Sequence, residues 1–170
     1  SAAVSVGSVD EHVWRAVEPG TPSPRRRLEV CAALTEAGIR CSVLMAPVLP
    51  FLTDSDEHID ATVQAIAASG ACHVSPIVLH LRPGAREWWQ AWLRREHPDL
   101  VGRYANLYGE RAYAPMAYQR DVTARVHAAA SRHGVGRDAT GRRLATHQPS
   151  GQRATPAAPS APSADQLSLL

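Results

Sequence analysis

Short apolar runs alternate with segments of helical periodicity over the first half of the chain. Residues 3–7 form a small apolar run that ends at a glycine, and a brief helix is expected over 11–15. Residues 39–46 and 72–81 form two longer runs that are almost continuously apolar. Runs of this kind are typical of strands that are covered on both faces. The pattern therefore predicts three buried strands with helices between them.

Capping residues and glycines delimit the two helices between the strands. Ser23 is a suitable N-cap residue with Pro24 at the first helical position, and this helix is expected to end at Gly38. The next helix begins after Asp54 or Ser55 and ends at a glycine. Its apolar residues recur at helical spacing at Ile59, Val63, Ile66 and Ala67.

Two later segments, 84–97 and 117–133, also have helical periodicity. Trp88 and Trp92 are expected to share one face of the first of these helices, because they are four residues apart. Four tyrosines lie on or between the later helices. We expect them to cover the base or side of the sheet rather than to bind a nucleobase: Tyr104, Tyr108, Tyr113 and Tyr118.

Three successive strand and helix units predict an α/β fold with a parallel sheet, since parallel strands need crossover connections. Either a doubly wound sheet or a (β/α) barrel satisfies the pattern. An eight-stranded barrel needs about 250 residues, so a barrel requires further strands. The chain begins at Ser1 with no signal-type segment before the first strand, and we expect it to be a fragment that lacks its amino-terminal part.

The composition changes after Gly136. Residues 137–170 are rich in Ala, Pro, Ser, Thr, Gln and Arg, and such sequence cannot bury enough apolar surface to fold. We therefore expect a folded unit over 1–136 and a disordered tail over 137–170. No apolar run approaches the roughly 20 residues that cross a bilayer, so no membrane partner is expected.

All 18 basic residues are arginine. The absence of lysine excludes a Schiff base, a P-loop lysine and a lysine general base. Residues 1–136 carry 14 Arg and 14 acidic residues, so the predicted folded unit lacks the basic stripe expected of a protein held on nucleic acid by phosphate contacts alone. Cys31, Cys41 and Cys72 are odd in number and widely spaced, which favours buried reduced thiols in a cytoplasmic protein over a disulfide framework.

Ligands of parallel α/β sheets bind at the carboxyl ends of the strands. Here these ends are expected at 5–7, 46–50 and 80–84. Ser5 can bond a ribose hydroxyl, or it can be a buried hydroxyl satisfied by the neighbouring strand. His80 and Arg82 can contact either end of a nucleotide.

Four strings resemble, in the same order, the spore photoproduct lyase-like branch of the radical S-adenosylmethionine (SAM) enzymes, and within it an actinobacterial sub-family. The resemblance covers about residues 3–134. The strings are Val4-Ser5-Val6; Glu18-Pro19 with Arg27-Leu28-Glu29; Ala46-Pro47-Val48-Leu49-Pro50; and Val78-Leu79-His80-Leu81-Arg82-Pro83-Gly84.

The resemblance implies a partial (β/α)6 barrel with a helical extension. In that family a [4Fe-4S] cluster, held by three cysteines of a CxxxCxxC loop, reductively cleaves SAM, and the resulting radical abstracts hydrogen from a substrate. It further implies an electron donor such as flavodoxin or ferredoxin, and a nucleic acid substrate in DNA repair. The positions it assigns to SAM are Ser5 for ribose, Arg27 for ribose or carboxylate, and Ala46, Pro47, His80 and Leu81 for adenine.

The chain departs from the family pattern because CxxxCxxC occurs nowhere in its 170 residues. The spacing of Cys31, Cys41 and Cys72 does not present three thiolates to one cluster. We expect this chain alone neither to assemble a cluster nor to turn over. Arg25, Arg26 and Arg27 form a basic run, one member of which is expected to reach back to Glu18.

The last five residues resemble the pentapeptide with which bacterial DNA repair and replication proteins bind the sliding clamp. A glutamine can hydrogen-bond at one end of such a peptide while leucines fill an apolar pocket. The residues are Gln166, Leu167, Leu169 and Leu170. The alternative function is therefore a non-catalytic interaction module that presents a clamp-binding tail.

Overall fold

The described part of the chain, residues 1–136 of a computed structural model, alternates strands and helices and ends in three helices. This confirms the predicted α/β class. The elements are β1 (Ala2–Ser5), α1 (Glu11–Val17), α2 (Pro24–Glu36), β2 (Cys41–Val48), α3 (Asp56–Ala68), β3 (His73–Val78), α4 (Ala85–Glu96), a 3-10 helix (Pro98–Leu100), α5 (Val101–Tyr108) and α6 (Met116–His133). The predicted tail over 137–170 and its clamp-binding residues lie outside the described residues.

Side-chain caps start the first three helices. Asp10 accepts hydrogen bonds from the first turn of α1. Ser23 accepts one from the Arg26 N–H at the start of α2, where Pro24 has no N–H and therefore needs no acceptor. Ser55, rather than Asp54, caps α3. A capping residue directly precedes the helix that it caps, so it can be recognised in the sequence, and these helix starts agree with the prediction.

The three strands form a parallel sheet in the consecutive order β1-β2-β3. Ala2 pairs with Cys41 and Ser5 with Leu44, and the next pair of strands matches Leu44 with Ser75. The register between β2 and β3 is irregular between Met45 and Val48. The parallel arrangement brings the ends of all three strands to one edge, which we call the carboxyl edge.

The helices that connect the strands pack on one face of the sheet. Val43, Met45 and Val74 of the strands are at most 1% exposed and belong to one apolar cluster with α2, α3 and α6. The helical contributions to this cluster are Leu28 and Cys31, Ile59, Val63 and Ile66, and Val122, Val126 and Ala129.

The opposite face of the sheet, which we call the open face, carries small or partly exposed side chains. Leu44 and Ile77 are each 38% exposed, although both are large and apolar. Ser5 and Ser75 share this face with Leu44, because they are its register partners and paired residues of parallel strands point the same way. The described residues thus leave one face of the sheet largely uncovered.

The helices α4 and α5 pack beside the carboxyl edge through aromatic residues. Trp88, which was expected to share one helix face with Trp92, is 53% exposed, whereas Trp89 and Trp92 are each 4% exposed and stack with their ring centroids 4.8 Å apart. Two of the four tyrosines do not cover the base of the sheet. The Tyr104 and Tyr108 hydroxyls donate to backbone carbonyls that follow β2 and β3, so they lie at the carboxyl edge and not at the base.

None of the helices within residues 1–136 is long and apolar enough to cross a membrane.

Candidate ligand-binding edge of the sheet

Ser5 closes β1 with a side-chain hydrogen bond to the adjacent strand. Its Oγ donates to the Ala46 carbonyl oxygen at 3.0 Å. The sequence leaves two roles open for Ser5, and this bond agrees with the second one, a hydroxyl that is hydrogen-bonded to the neighbouring strand. A hydroxyl that donates once keeps its lone pairs for accepting, so Ser5 can still bond a ligand donor.

Arg27 binds the end of β1 and the loop before α2 at the same time. Its Nη1 donates to the Ser5 carbonyl at 3.0 Å and its Nε to the Pro22 carbonyl at 2.9 Å. Its Nη2 contacts Glu18 at 2.5 Å and Thr21 at 2.9 Å, which confirms that one arginine of the run reaches back to Glu18. These contacts use four of the five guanidinium N–H groups. Arg27 thus holds the end of β1 against the loop before α2.

The other two arginines of the run point away from this edge. Arg25 pairs with Glu29 at 3.1 Å, and Arg26 approaches the same carboxylate at 3.7 Å. Both arginine side chains are about 80% exposed, at 84% and 79%. They form a solvated face of α2.

Gly7 and Pro47 bring the ends of β1 and β2 into direct backbone contact. The Ala46–Pro47 peptide bond is cis. A Cβ atom on Gly7 would lie 2.6 Å from the Pro47 carbonyl oxygen, which is closer than real Cβ contacts allow. Only glycine fits at position 7 without a shift of the adjacent loop.

The space enclosed by these loops is small. A cavity of about 20 Å³ lies among Gly7, Trp14, Glu18, Arg27 and Pro47. A volume of this size holds one water molecule, since a water needs roughly 10–15 Å³. A nucleoside does not fit in this cavity.

His80 and Leu81 form the part of the edge that follows β3. The Leu81 N–H donates to the Ala112 carbonyl at 2.7 Å, and the His80 ring meets the Tyr113 ring edge at 4.5 Å between centroids. Burial, together with the nearby Arg82 charge, lowers the pKa of His80 below its usual range. A neutral imidazole offers one donor and one acceptor nitrogen. The Leu81 backbone donor is already occupied.

The turn after β2 is held by aromatic residues that the sequence did not single out for this edge. Phe51 has φ 66°, an uncommon region for a residue other than glycine. Its N–H donates to the Asp54 carboxylate at 2.7 Å. Its ring lies edge-on to the Tyr104 ring, with 5.7 Å between the two ring centroids. The Arg103 guanidinium lies over the same ring, with its Cζ 3.9 Å from the ring centroid. Tyr118 donates to the second oxygen of Asp54. The turn is therefore fixed from both sides.

Burial raises the pKa of both tyrosine hydroxyls that contact this turn. For Tyr118 the Asp54 carboxylate adds to the effect of burial, because a negative phenolate beside it would be repelled. For Tyr104 the nearby tyrosines add to burial, and an interaction with Trp89 opposes it. Both side chains remain hydrogen-bond donors and do not act as bases.

The cysteines lie away from the carboxyl edge. Cys41 begins β2 and Cys72 directly precedes β3, so both are at the amino ends of the strands. Cys31 and Cys41 are buried and Cys72 is half-buried, and all three thiols are free. Burial, with Cys31 close by, raises the pKa of Cys41 to about 12. Residues 1–136 contain no group of three His, Cys, Asp or Glu side chains that could hold a metal ion.

Comparison with known proteins finds relatives that are longer than this chain. Uncharacterized proteins of Mycobacterium bovis and Mycobacterium tuberculosis are 47% identical to it over 126 residues, which cover 74% of the chain and 37% of each relative. The chain thus spans little more than a third of the length of these curated relatives. An uncharacterized protein of Acidianus two-tailed virus is 29% identical over 93 residues, or 53% of the chain and 31% of the viral protein. No protein family profile and no solved structure matches.

The structure brings some of the expected site residues together and separates others. Ser5, Ala46 and Arg27 are in direct contact through hydrogen bonds, and Pro47 lies against Gly7 beside them. His80 lies at the far end of the edge with Tyr113. The Tyr113 contact was missed because the residue is distant in sequence and no local pattern signals it.

Proposed function

We propose that the chain is the carboxyl-terminal part of a radical SAM enzyme of the spore photoproduct lyase-like branch, with its sheet as half of a (β/α)6 barrel. The observation that carries the proposal is the consecutive strand order with the connecting helices on one face. In a doubly wound sheet the strand order reverses and helices cover both faces. Barrels instead keep the helices outside and turn the other face inward. The open face would be that interior.

The residues at the carboxyl edge fit the uncharged adenosine part of SAM. The Ser5 hydroxyl retains acceptor capacity for a ribose hydroxyl, and His80 offers a neutral imidazole near the position proposed for adenine. Ala46, Pro47 and Leu81 would line the same ligand with backbone and apolar atoms. Arg27 keeps one free N–H, so its main contribution is to hold Ser5 and the loop at Glu18 in place.

The cysteines of this chain do not fit the iron–sulfur cluster. Cys41 and Cys72 lie at the amino ends of the strands, opposite the carboxyl edge, and burial holds Cys41 in its thiol form. We assign the cluster ligands to a part of the protein outside this chain, in keeping with the greater length of the relatives. The cluster and SAM together supply hydrogen-abstraction chemistry when bound. The substrate class proposed is nucleic acid, and a flavodoxin or ferredoxin would supply the electron.

The test uses the protein from the complete reading frame, reconstituted anaerobically with iron and sulfide. With SAM and a reductant, we expect formation of 5′-deoxyadenosine. Ser5→Ala should raise the KM for SAM roughly fivefold, the effect of one lost hydrogen bond of about 1 kcal/mol. The matched control is Ser42→Ala, whose Oγ donates to the Ala2 carbonyl at 3.3 Å on the same face but at the amino end.

Two results would contradict the proposal. One is a complete protein that carries a full cluster but forms no 5′-deoxyadenosine. The other is an equal change of KM in the two serine variants, because the ligand would then not lie at the carboxyl edge.

The second candidate function is an interaction module that uses the tail. It rests on the terminal sequence Gln166, Leu167, Leu169 and Leu170, which resembles a clamp-binding pentapeptide. In this alternative the folded unit serves as a carrier, and binding depends on the last five residues alone.

A further inference from the structure

We infer that Tyr113 is a specificity-determining residue of the proposed SAM site, where its ring stacks on the adenine base beside His80. The inference rests on the proposed function and adds a residue that the resemblance in sequence does not assign. Tyr113 lies in the loop over 109–115, between α5 and α6, and its ring meets the His80 ring with 4.5 Å between the centroids. Because His80 follows β3, this contact places Tyr113 at the carboxyl edge.

The ring of Tyr113 is accessible to a ligand. Tyr113 is 47% exposed, whereas Tyr104 and Tyr108 are 3% and 1% exposed and are covered by their neighbours. The planes of the Tyr113 and His80 rings meet at an angle of 62°. At such an angle one ring can stack on a flat base while the other faces the edge of that base. The two side chains therefore form an open corner rather than a closed stack.

The loop that carries Tyr113 is held in place by hydrogen bonds from outside it. Four of its backbone carbonyls accept such bonds, those of Gly109, Arg111, Ala112 and Ala114. Arg86 donates to the first two, the Leu81 N–H donates to the third at 2.7 Å, and Gln119 donates to the fourth at 2.7 Å. A ring on a loop that is already fixed binds without the entropic cost of ordering that loop.

The corner matches the two kinds of contact that adenine can make. Every base has a π face on which an aromatic side chain can stack, and Tyr113 presents such a ring. The edge of adenine carries an amino donor and ring nitrogens that accept. Burial and the Arg82 charge lower the pKa of His80, so near neutral pH its imidazole is uncharged and has one donor and one acceptor nitrogen. Adenine thus finds a stacking partner and a hydrogen-bond partner side by side.

The test measures ligand binding by isothermal titration calorimetry and does not depend on turnover. It uses the protein from the complete reading frame, reconstituted with iron and sulfide. The probes are S-adenosylhomocysteine and S-ribosylhomocysteine, which keeps the ribose and the amino acid but lacks the base. Tyr113→Ala should weaken binding of S-adenosylhomocysteine about tenfold, because the stacking contact is lost, and should leave the affinity for S-ribosylhomocysteine unchanged. Tyr113→Phe retains the ring and should bind both ligands like the wild type.

Trp88→Ala is the matched control. Trp88 is an aromatic residue of similar exposure, at 53%, but it lies on α4 and its ring contacts Trp89. This variant should bind both ligands like the wild type.

Three results overturn the inference alone. They are an unchanged affinity of Tyr113→Ala for S-adenosylhomocysteine, an equal loss of affinity for both ligands, and a loss in Tyr113→Phe as large as that in Tyr113→Ala. In each of these cases the proposed function stands if the wild type binds S-adenosylhomocysteine and forms 5′-deoxyadenosine from SAM. A wild type that does neither overturns the proposed function and the inference together.

Discussion

Arg27 donates a hydrogen bond of 3.0 Å from Nη1 to the carbonyl oxygen of Ser5. A helix residue therefore holds the last residue of β1, and through Glu18 and Pro22 the same guanidinium holds the loop that precedes its helix. The ion pair to Glu18 is largely shielded, with 19% of the Arg27 side chain and 26% of the Glu18 side chain exposed. This contact is the main polar link between α2 and the proposed ligand site.

Replacing Arg27 should destabilise the fold. Arg27→Gln removes the ion pair and leaves the Ser5 and Pro22 carbonyls without their donor, which we expect to cost about 2 kcal/mol of unfolding free energy. Arg25→Gln is the control, because Arg25 is 84% exposed and surface ion pairs contribute little. Urea denaturation of both variants measures the difference. If the two variants were equally stable, Arg27 would not stabilise the fold through its contacts with Ser5, Pro22 and Glu18.

Gly7 should tolerate no side chain. Gly7→Ala places a Cβ atom 2.6 Å from the Pro47 carbonyl oxygen, and we expect a loss of roughly 1–3 kcal/mol as the loops move apart. Gly102→Ala is the matched change in α5, where nothing lies within 4 Å of the added atom. Its stability should stay the same or rise by up to about 1 kcal/mol. Thermal unfolding would contradict the account if Gly7→Ala proved the more stable of the two.

The lowered pKa of His80 predicts a dependence of stability on pH. In the unfolded chain this imidazole has its ordinary pKa of 6.5, whereas in the folded protein burial and the Arg82 charge lower the pKa. Below that pH the unfolded state binds more protons, so the free energy of unfolding falls until the folded-state pKa is reached. At pH values above the pKa of the unfolded state, His80 makes its full contribution to the free energy of unfolding.

Denaturation at about pH 7.5 and about pH 5 measures this effect. The wild type should lose more stability between the two values than His80→Gln. His127→Gln, a change at an exposed histidine of α6, should behave like the wild type. An identical loss in the wild type and in His80→Gln would show that His80 does not contribute.

Features with local causes could be predicted from the sequence. The start of α2 follows from Ser23 and Pro24, and its end from Gly38, which has φ 74°. The carboxyl ends of the strands were also predicted to form one edge, because parallel strands require it. Strand boundaries were less accurate. β2 begins at Cys41 and not at residue 39, since its first residue is set by pairing with Ala2.

Features set by tertiary contacts could not be predicted. Trp88 and Trp89 both lie at helical spacing from Trp92, so periodicity does not distinguish them. The contact of Trp89 with Tyr104 on α5 decides which one is buried. The place of Tyr104 and Tyr108 at the carboxyl edge likewise depends on hydrogen bonds to carbonyls 54 and 29 residues away.

The terminal pentapeptide should bind a bacterial sliding clamp. A peptide of residues 160–170 should bind in a fluorescence polarisation assay, and Leu169→Ala should weaken binding by at least tenfold because the leucines fill the apolar pocket. Ser168→Ala is the control, since this side chain lies between the proposed anchors. Equal or absent binding of the Leu169→Ala and unchanged peptides would remove the clamp as a partner.

We propose that this sheet belongs to a radical SAM barrel whose cluster ligands lie elsewhere in the same protein. The most direct test is to read the DNA immediately upstream of the codon for Ser1. We predict that the upstream DNA contains an in-frame extension of about 150 codons, and that these codons encode a CxxxCxxC motif and the missing strands. A stop codon with a start site close to Ser1 would contradict the claim, because this chain would then stand alone without ligands for the cluster.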